Sequence, residues 1–118
     1  MKLIIAGSRT IEDSGVLINA IDKHGLQDKT TEVVSGACRG VDLLGEIWAN
    51  HNNKQLIRFR PDWDKFNKAA GPIRNRTMAE YADALLLIWD GKSKGSANMK
   101  KNMEKLNKPI YEVVLSGL

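Results

Sequence analysis

The chain has 118 residues, of which 42% are hydrophobic and 27% are charged, with a net charge of +4 and one cysteine. This length supports one hydrophobic core rather than two, and no stretch reaches the roughly 18 to 20 apolar residues that a membrane-spanning helix needs. We therefore expect one domain over residues 1–118, and no signal peptide, because the N-terminus runs straight into a strand pattern. The single cysteine excludes an internal disulfide and indicates a location in the cytoplasm.

Short apolar runs alternate with segments of helical periodicity along the chain. The apolar runs end at turn residues, as buried strands do, and cover residues 3–6, 32–34, 56–59, 84–89 and 110–115. Between them, apolar residues recur every three or four positions over residues 16–21, 41–48, 73–82 and 99–106. The alternation predicts an α/β fold, a Rossmann-like three-layer sandwich whose mainly parallel five-stranded sheet carries helices on both faces. Residues 61–71 are predicted to form a long irregular loop.

The residues directly after the strands are the candidates for a ligand site, because open α/β sheets bind ligands at the carboxyl ends of their strands. Residues 7–9 (GSR) follow the first strand and combine close backbone approach with a hydroxyl and a guanidinium group. Residues 35–42 (SGACRGVD) follow the second strand and lead into a helix, so backbone amides and the helix N-terminus favour an anion there. Residues 90–96 (DGKSKGS) repeat this arrangement after the fourth strand.

Other polar and aromatic residues leave alternatives open. Asp42 and Glu46 are one turn apart on a predicted helix, where two exposed carboxylates repel each other. Hydrogen bonds to the hydroxyl groups of a ribose would explain the pair. The alternative for Asp42 is a helix cap. Trp63 is placed either to stack on a base or to pack over the sheet edge. Six lysines between Lys92 and Lys108 either attract phosphate or form a solvated helix face.

Several common chemistries have no motif in this sequence. It contains neither a P-loop nor the G-x-G-x-x-G fingerprint of dinucleotide-binding proteins. It also lacks the G-x-S-x-G elbow of serine hydrolases and the H-E-x-x-H zinc motif. We therefore expect no metal site and no resident cofactor.

Seven blocks of sequence together resemble the SLOG superfamily, and most closely its YspA-related branch of bacterial and phage proteins. The blocks follow the order of the family and are residues 5–9 (IAGSR), 34–42 (VSGACRGVD), 62–64 (DWD), 71–78 (GPIRNRTM), 82–84 (ADA), 89–91 (WDG) and 94–96 (KGS). The resemblance implies a Rossmann-like fold and a nucleotide-related ligand at the carboxyl ends of the strands. It also implies a bacterial or phage origin.

The superfamily includes the LOG phosphoribohydrolases, and this sequence departs from them at one position. Those enzymes pair an arginine in an R-K-x-x-M stretch with a glutamate after a glycine-rich loop. Arg74 matches the arginine, but Met99 stands where the glutamate would fall. Without that carboxylate, the group that would stabilise positive charge developing on the ribose is missing. If the chain is an enzyme, the candidate catalytic residues are Arg74, Asp42 and Glu46.

Three functions are consistent with these residues. The favoured one is binding or sensing of a nucleotide or a nucleotide-derived ligand of the ADP-ribose or NAD type. The second is N-glycosidic hydrolysis of such a ligand, and the third, suggested by the SLOG protein DprA, is single-stranded nucleic-acid binding. The exposed helix faces of so small a domain are also compatible with a homodimer. The predicted ligand-binding residues are Gly7, Ser8, Arg9, Ser35, Gly36, Arg39, Gly40, Val41, Asp42, Trp63, Arg74, Asn75, Asp90, Gly91, Gly95 and Ser96.

Overall fold

A computed structural model describes residues 1–115, and its strands and helices alternate as the sequence predicts. The strands are β1 Lys2–Gly7, β2 Glu32–Ser35, β3 Gln55–Arg58, β4 Ala84–Trp89 and β5 Ile110–Val114. The helices are α1 Ser14–Lys23, α2 Val41–His51, α3 Trp63–Phe66, α4 Ala70–Tyr81 and α5 Lys94–Lys105. No helix within residues 1–115 combines the length and the apolar character that crossing a membrane requires. Residues 116–118 of the predicted domain lie outside the described part of the chain.

The sheet is parallel throughout and has the strand order β3-β2-β1-β4-β5. The chain winds outward from β1 to β3, then crosses over to β4 and winds outward on the other side. The direction of winding therefore reverses between β1 and β4, and a crevice forms at the carboxyl ends of these two strands. Gly7 pairs with Ile88 in the register of the sheet, so both strands end at nearly the same level.

Each face of the sheet is covered by helices. Along β1, Leu3 and Ile5 pack in one apolar cluster with buried residues of α1 and α2. Ile4 and Ala6, which point to the opposite face, pack in a second cluster with buried residues of α4 and α5. Every residue of β4 is buried, as expected for a strand covered on both faces. These two clusters confirm the predicted three-layer arrangement.

One segment of the fold differs from the prediction. Residues 61–71 are not an irregular loop, because they contain α3, a 3-10 turn over Asn67–Ala69 and the first residues of α4. Asp62 starts α3, since its Oδ1 accepts a hydrogen bond from the backbone amide of Lys65 at 3.1 Å. None of the residues of α3 is buried, so apolar periodicity gave no signal for this helix.

Candidate functional site

A cavity of about 460 Å³ opens at the carboxyl ends of β1 and β4, where the winding of the sheet reverses. We call it the inner cavity. Its walls are the loops that follow β1, β2 and β4, the middle of α4 and the start of α5. The predicted ligand-binding residues that line it are Gly7, Ser8, Arg9, Gly36, Arg39, Asp42, Arg74, Asn75, Asp90, Gly95 and Ser96.

The ends of β1 and β4 approach closely to form the floor of the inner cavity. A Cβ atom added to Gly7 would lie 1.7 Å from the carbonyl oxygen of Ile88, so only glycine fits between the two strands. The backbone amide of Ser8 donates to the same carbonyl oxygen at 3.0 Å, and Ser8 Oγ accepts from the amide of Asp90 at 3.1 Å. Ser8 therefore links the two strand ends and holds the loop after β4 in place.

The loop between β2 and α2 is fixed by a close backbone contact at Gly40 and by hydrogen bonds of the buried Ser35 side chain. Gly40 has φ 76°, and a Cβ there would lie 2.4 Å from the Ser8 carbonyl oxygen. Ser35 is fully buried; its Oγ accepts from the Ala37 amide at 3.1 Å and donates to Glu46 Oε2 at 2.7 Å. Ser35 and Gly40 do not line the inner cavity, and neither do the predicted residues Val41, which belongs to the core, and Gly91.

Glu46 is not the exposed carboxylate that the sequence predicts. Only 8% of the residue is exposed, and its carboxylate accepts hydrogen bonds from the Ser35 hydroxyl and from Arg58 Nε at 2.8 Å. These partners offset the free energy of desolvating the charge. Glu46 lies outside the inner cavity, where it fixes the β2–α2 loop to the end of β3.

Asp42 is a buried carboxylate of the inner cavity, so the expectation that it is exposed is also wrong. It is 6% exposed, and its Oδ2 accepts from the Cys38 amide at 3.3 Å. Burial raises the pKa of Asp42 to about 6; the Glu46 carboxylate adds to the rise, while the Cys38 amide and the Arg74 charge oppose it. An aspartate that titrates near neutral pH in a cavity is a common feature of functional sites.

Arg74 connects the walls of the inner cavity. Its Nη1 donates to the carbonyl oxygens of Gly36 and Phe59, and its Nε donates to Asn75 Oδ1 at 2.9 Å. Asn75 Nδ2 in turn donates to the Gly95 carbonyl oxygen at 3.2 Å. These hydrogen bonds join the segments that follow β2 and β3 to α4 and to the start of α5, so the guanidinium is fixed at the cavity wall.

The N-terminus of α5 faces the inner cavity. Ser93 caps the helix by accepting from the Ser96 amide at 3.4 Å, and Asp90 Oδ1 accepts from two loop amides at 2.8 and 3.0 Å. These amide hydrogen bonds hold the pKa of Asp90 below its usual range. Lys94 and Gly95 are the first residues of the helix and line the cavity, and amides in this position have no acceptor within the helix. This end of α5 therefore favours an anion.

A second cavity, of about 560 Å³, adjoins the first, and we call it the outer groove. Trp63 lies here and not in the inner cavity, with 55% of the residue exposed. Three residues line both cavities, so the two share a wall. The lining residues of the outer groove are Arg9, Ala37, Cys38, Arg39, Arg60, Pro61 and Trp63.

Two basic residues at these cavities were missed by the sequence analysis as site residues. Lys94 was included in the candidate loop 90–96 and in the lysine cluster but was not named as a ligand-binding residue, and Arg60 was noted only as a residue that ends a strand. The rule that ligands bind beyond the carboxyl ends of strands would have selected Arg60, which follows β3 by two positions. The same reasoning did select the loop 90–96 at the end of β4, and Lys94 is its member at the first position of α5.

The lysines near the C-terminus serve different purposes. Lys108 Nζ donates to the carbonyl oxygens of Ala79 and Ala82 at the end of α4, both at 2.7 Å. Lys100 forms an ion pair with Glu112 at 2.9 Å, which raises the pKa of Lys100 and lowers that of Glu112. These two lysines stabilise the fold, whereas Lys94 lines the inner cavity. Within residues 1–115 the structure contains no cluster of three side chains suited to hold a metal ion.

A doubly wound parallel sheet with a cavity at its switch point defines the class of Rossmann-like α/β proteins. The chain belongs to the YspA, cpYpsA-related SLOG family, whose sequence model matches residues 1–66. The match includes the loops after β1 and β2, while the cavity residues of α4 and α5 lie beyond it. Comparison with curated protein sequences gave no match.

The fold is also shared with a solved structure. The X-ray structure of DNA processing protein A (DprA) from Streptococcus pneumoniae superposes with a TM-score of 0.77 at 19% sequence identity. The superposition covers 99% of this chain and 51% of the DprA chain, so this chain spans about half the length of that protein. At this identity the likeness establishes the fold.

Proposed function

We propose that the inner cavity binds the phosphate-bearing part of a nucleotide or of a nucleotide-derived ligand of the ADP-ribose or NAD class, and that the chain is a binding or sensing module. Membership of the SLOG family and the fold shared with DprA support a function related to nucleotides or nucleic acids. The observation that carries the proposal is the convergence of basic side chains and a helix N-terminus on a cavity at the switch point.

The electrostatics of the inner cavity favour a phosphate. Four basic side chains and two carboxylates line it, and burial raises the pKa of one of these carboxylates, Asp42, to about 6. The phosphate would lie at the N-terminus of α5, near Lys94 and the hydroxyl of Ser96. Arg74 contributes a fixed positive charge at the cavity wall, because its hydrogen bonds hold the guanidinium in place.

The remaining polar groups suit the sugar of a nucleotide. Asp42 lines the cavity, and a carboxylate in this part of a Rossmann-like fold is well placed to accept hydrogen bonds from ribose hydroxyls. The volume of about 460 Å³ lies in the range of small-molecule sites, roughly 300 to 1,000 Å³. Size, charge and polar lining therefore agree with a nucleotide-sized ligand.

The test is a pair of charge reversals on α5. Lys94→Glu places a carboxylate where the phosphate would lie, whereas Lys101→Glu makes the same change at an exposed position away from the cavity. We expect Lys94→Glu to weaken binding of AMP, ADP-ribose or NAD by at least about tenfold, and Lys101→Glu to change it less than about twofold. Isothermal titration calorimetry gives both affinities. If the wild-type chain binds none of the three compounds, the proposal is wrong.

A second candidate function is hydrolysis of the N-glycosidic bond of the bound nucleotide. It is favoured by one observation, the position of Asp42 in the lining of the cavity, because a carboxylate near the ribose would stabilise positive charge as the bond to the base breaks. Glu46 is a weaker candidate, since both of its oxygens accept hydrogen bonds outside the cavity. Chromatography after incubation distinguishes the two functions. Release of free base that Asp42→Asn abolishes would establish hydrolysis, and recovery of intact ligand would leave binding alone.

A further inference from the structure

The six arginines of the chain fall into two groups. Arg58, Arg74 and Arg76 each have a protein partner: the Glu46 carboxylate, backbone carbonyls and the Glu80 carboxylate, respectively. Within residues 1–115 the other three have neither a salt bridge nor a side-chain hydrogen bond. These three are Arg9, Arg39 and Arg60, and all of them are exposed and line the outer groove.

Such a concentration of arginines without partners needs a physical reason. Like charges that line one groove repel each other, and none of the three guanidinium groups forms an ion pair within residues 1–115. A guanidinium presents a planar set of donors that matches phosphate oxygens in a bidentate arrangement. The outer groove therefore has the chemistry of a second phosphate-binding surface.

Trp63 gives the same groove an aromatic surface. The indole approaches α4, since a Cβ added to Gly71 would lie 3.9 Å from its Cη2 atom, but 55% of the residue stays exposed. An exposed indole beside arginines is suited to stack on a nucleobase, an interaction that tolerates any base. Asp62 and Asp64 flank Trp63 in sequence but do not line the groove.

We propose that the outer groove is a subsite for the second half of a dinucleotide, a compound with two nucleosides joined by phosphates. This inference rests on the proposed function, in which the inner cavity binds the first half. Arg9 and Arg39 line both cavities and would contact the phosphate of the first half. Arg60 would contact the phosphate that the second half adds, and Trp63 would contact the base of that half. The two cavities share three lining residues, so they adjoin each other as the two halves of such a ligand require.

The experiment compares the affinities of three adenosine compounds, each of which adds one chemical group to the one before it. AMP tests the inner cavity, ADP adds a phosphate, and diadenosine diphosphate adds a second nucleoside that is identical to the first. We expect diadenosine diphosphate to bind the full chain at least about tenfold more tightly than ADP, as measured by calorimetry, since base stacking on an aromatic ring is worth roughly 1 to 3 kcal/mol.

Substitutions at two residues, Trp63 and Arg60, assign the gain to the outer groove. Trp63→Ala should reduce the affinity for diadenosine diphosphate to that for ADP, and Trp63→Phe should restore most of the gain because it keeps a ring. Arg60→Gln should weaken ADP and diadenosine diphosphate by about fivefold or more, with AMP changed less than about twofold. Arg76→Gln is the matched control, since Arg76 is an exposed arginine outside both cavities, and it should change none of the three.

The outcomes separate this proposal from the proposed function. If AMP binds but diadenosine diphosphate binds no more tightly than ADP, the second subsite is wrong and the nucleotide site stands. If Trp63→Ala weakens AMP as much as diadenosine diphosphate, Trp63 does not belong to a separate subsite, and the proposal is also wrong. If a ten-residue single-stranded oligonucleotide binds more tightly than diadenosine diphosphate, the groove is a nucleic-acid surface instead. If no compound binds, both proposals fail together.

Discussion

The inner cavity and the outer groove adjoin each other, but their polar groups are used in opposite ways. In the inner cavity, Arg74 and Asn75 are bonded to the loops around them, and Ser8 joins two strand ends. In the outer groove, Arg39 and Arg60 have no described partner within residues 1–115 and remain exposed. A group that is fixed before a ligand arrives loses little entropy on binding, whereas a free arginine must be ordered by the ligand. The polar groups of the inner cavity therefore have fixed positions before a ligand binds, whereas the arginines of the outer groove can adjust to the charges of a ligand.

The largest expected effect concerns the backbone of the loop between β2 and α2, where Gly40 packs against Ser8 of the inner cavity. Gly40→Ala should lower the free energy of unfolding by about 3 kcal/mol or more, because φ is 76° and the new Cβ would meet the Ser8 carbonyl oxygen at 2.4 Å. The control is Gly95→Ala in the first turn of α5, where a Cβ meets no atom within 4 Å. That variant should be neutral or slightly stabilising. Urea unfolding measures both, and equal stability of the two variants would contradict the close approach at Gly40.

The next effect contrasts one arginine from each region. Arg74→Gln should lower the free energy of unfolding by about 2 kcal/mol, because it removes hydrogen bonds to two partly buried carbonyl groups. Arg60→Gln, at an arginine that lines only the outer groove, should change it by less than about 0.5 kcal/mol, since the side chain is exposed and unpartnered among residues 1–115. Thermal unfolding of the two variants without ligand is the measurement. A similar loss in both would show that the two regions do not differ in this way.

The raised pKa of Asp42 predicts a pH dependence of stability. The folded chain keeps the Asp42 proton up to a pH of about 6, whereas the unfolded chain loses it near its ordinary value of 3.8. The folded state therefore binds more protons between these values, and the free energy of unfolding falls as the pH rises through this window. It then stays lower, because both states are ionised above a pH of about 6.

Asp42→Asn isolates this contribution, since all other titrating groups are common to both proteins. The variant should be more stable than the wild type by about 2 kcal/mol at neutral pH, and the difference should shrink as the pH falls toward about 4. Urea unfolding at several pH values gives the difference. A constant difference across this range would mean that Asp42 does not titrate as its burial implies.

The smallest expected effect concerns the outer groove. Trp63→Ala should change the free energy of unfolding by less than about 1 kcal/mol, because the residue is 55% exposed and belongs to neither apolar cluster. Trp48→Ala is the comparison, since Trp48 is 7% exposed and packs in the core, where the loss should reach about 3 kcal/mol or more. A large loss at Trp63 would make it a structural residue and weaken its assignment to a ligand.

Most of the fold could be predicted from the sequence, because burial on both faces of a parallel sheet demands continuous apolar runs and each run ends at a turn residue. The same pattern placed the loops after β1, β2 and β4 at one edge of the sheet, and most of the predicted binding residues line the inner cavity there. The helix α3 was missed because it buries no residue and therefore has no apolar pattern. The single domain over residues 1–118, the homodimer, the cytoplasmic location and the bacterial or phage origin stay predictions.

The sequence could not determine which polar side chains line the cavity and which form hydrogen bonds or ion pairs with other parts of the fold. Asp42 and Glu46 are one turn apart on α2, and helical spacing treats them alike. The pairing of β2 with β3 brings Arg58 to Glu46, while the placement of α4 brings Arg74 to the loop beside Asp42. The sequence by itself determined the fold and the edge of the sheet that carries the loops, since local periodicity encodes both. Only the tertiary structure decided the role of each charged group, because that role depends on partners from distant strands and helices.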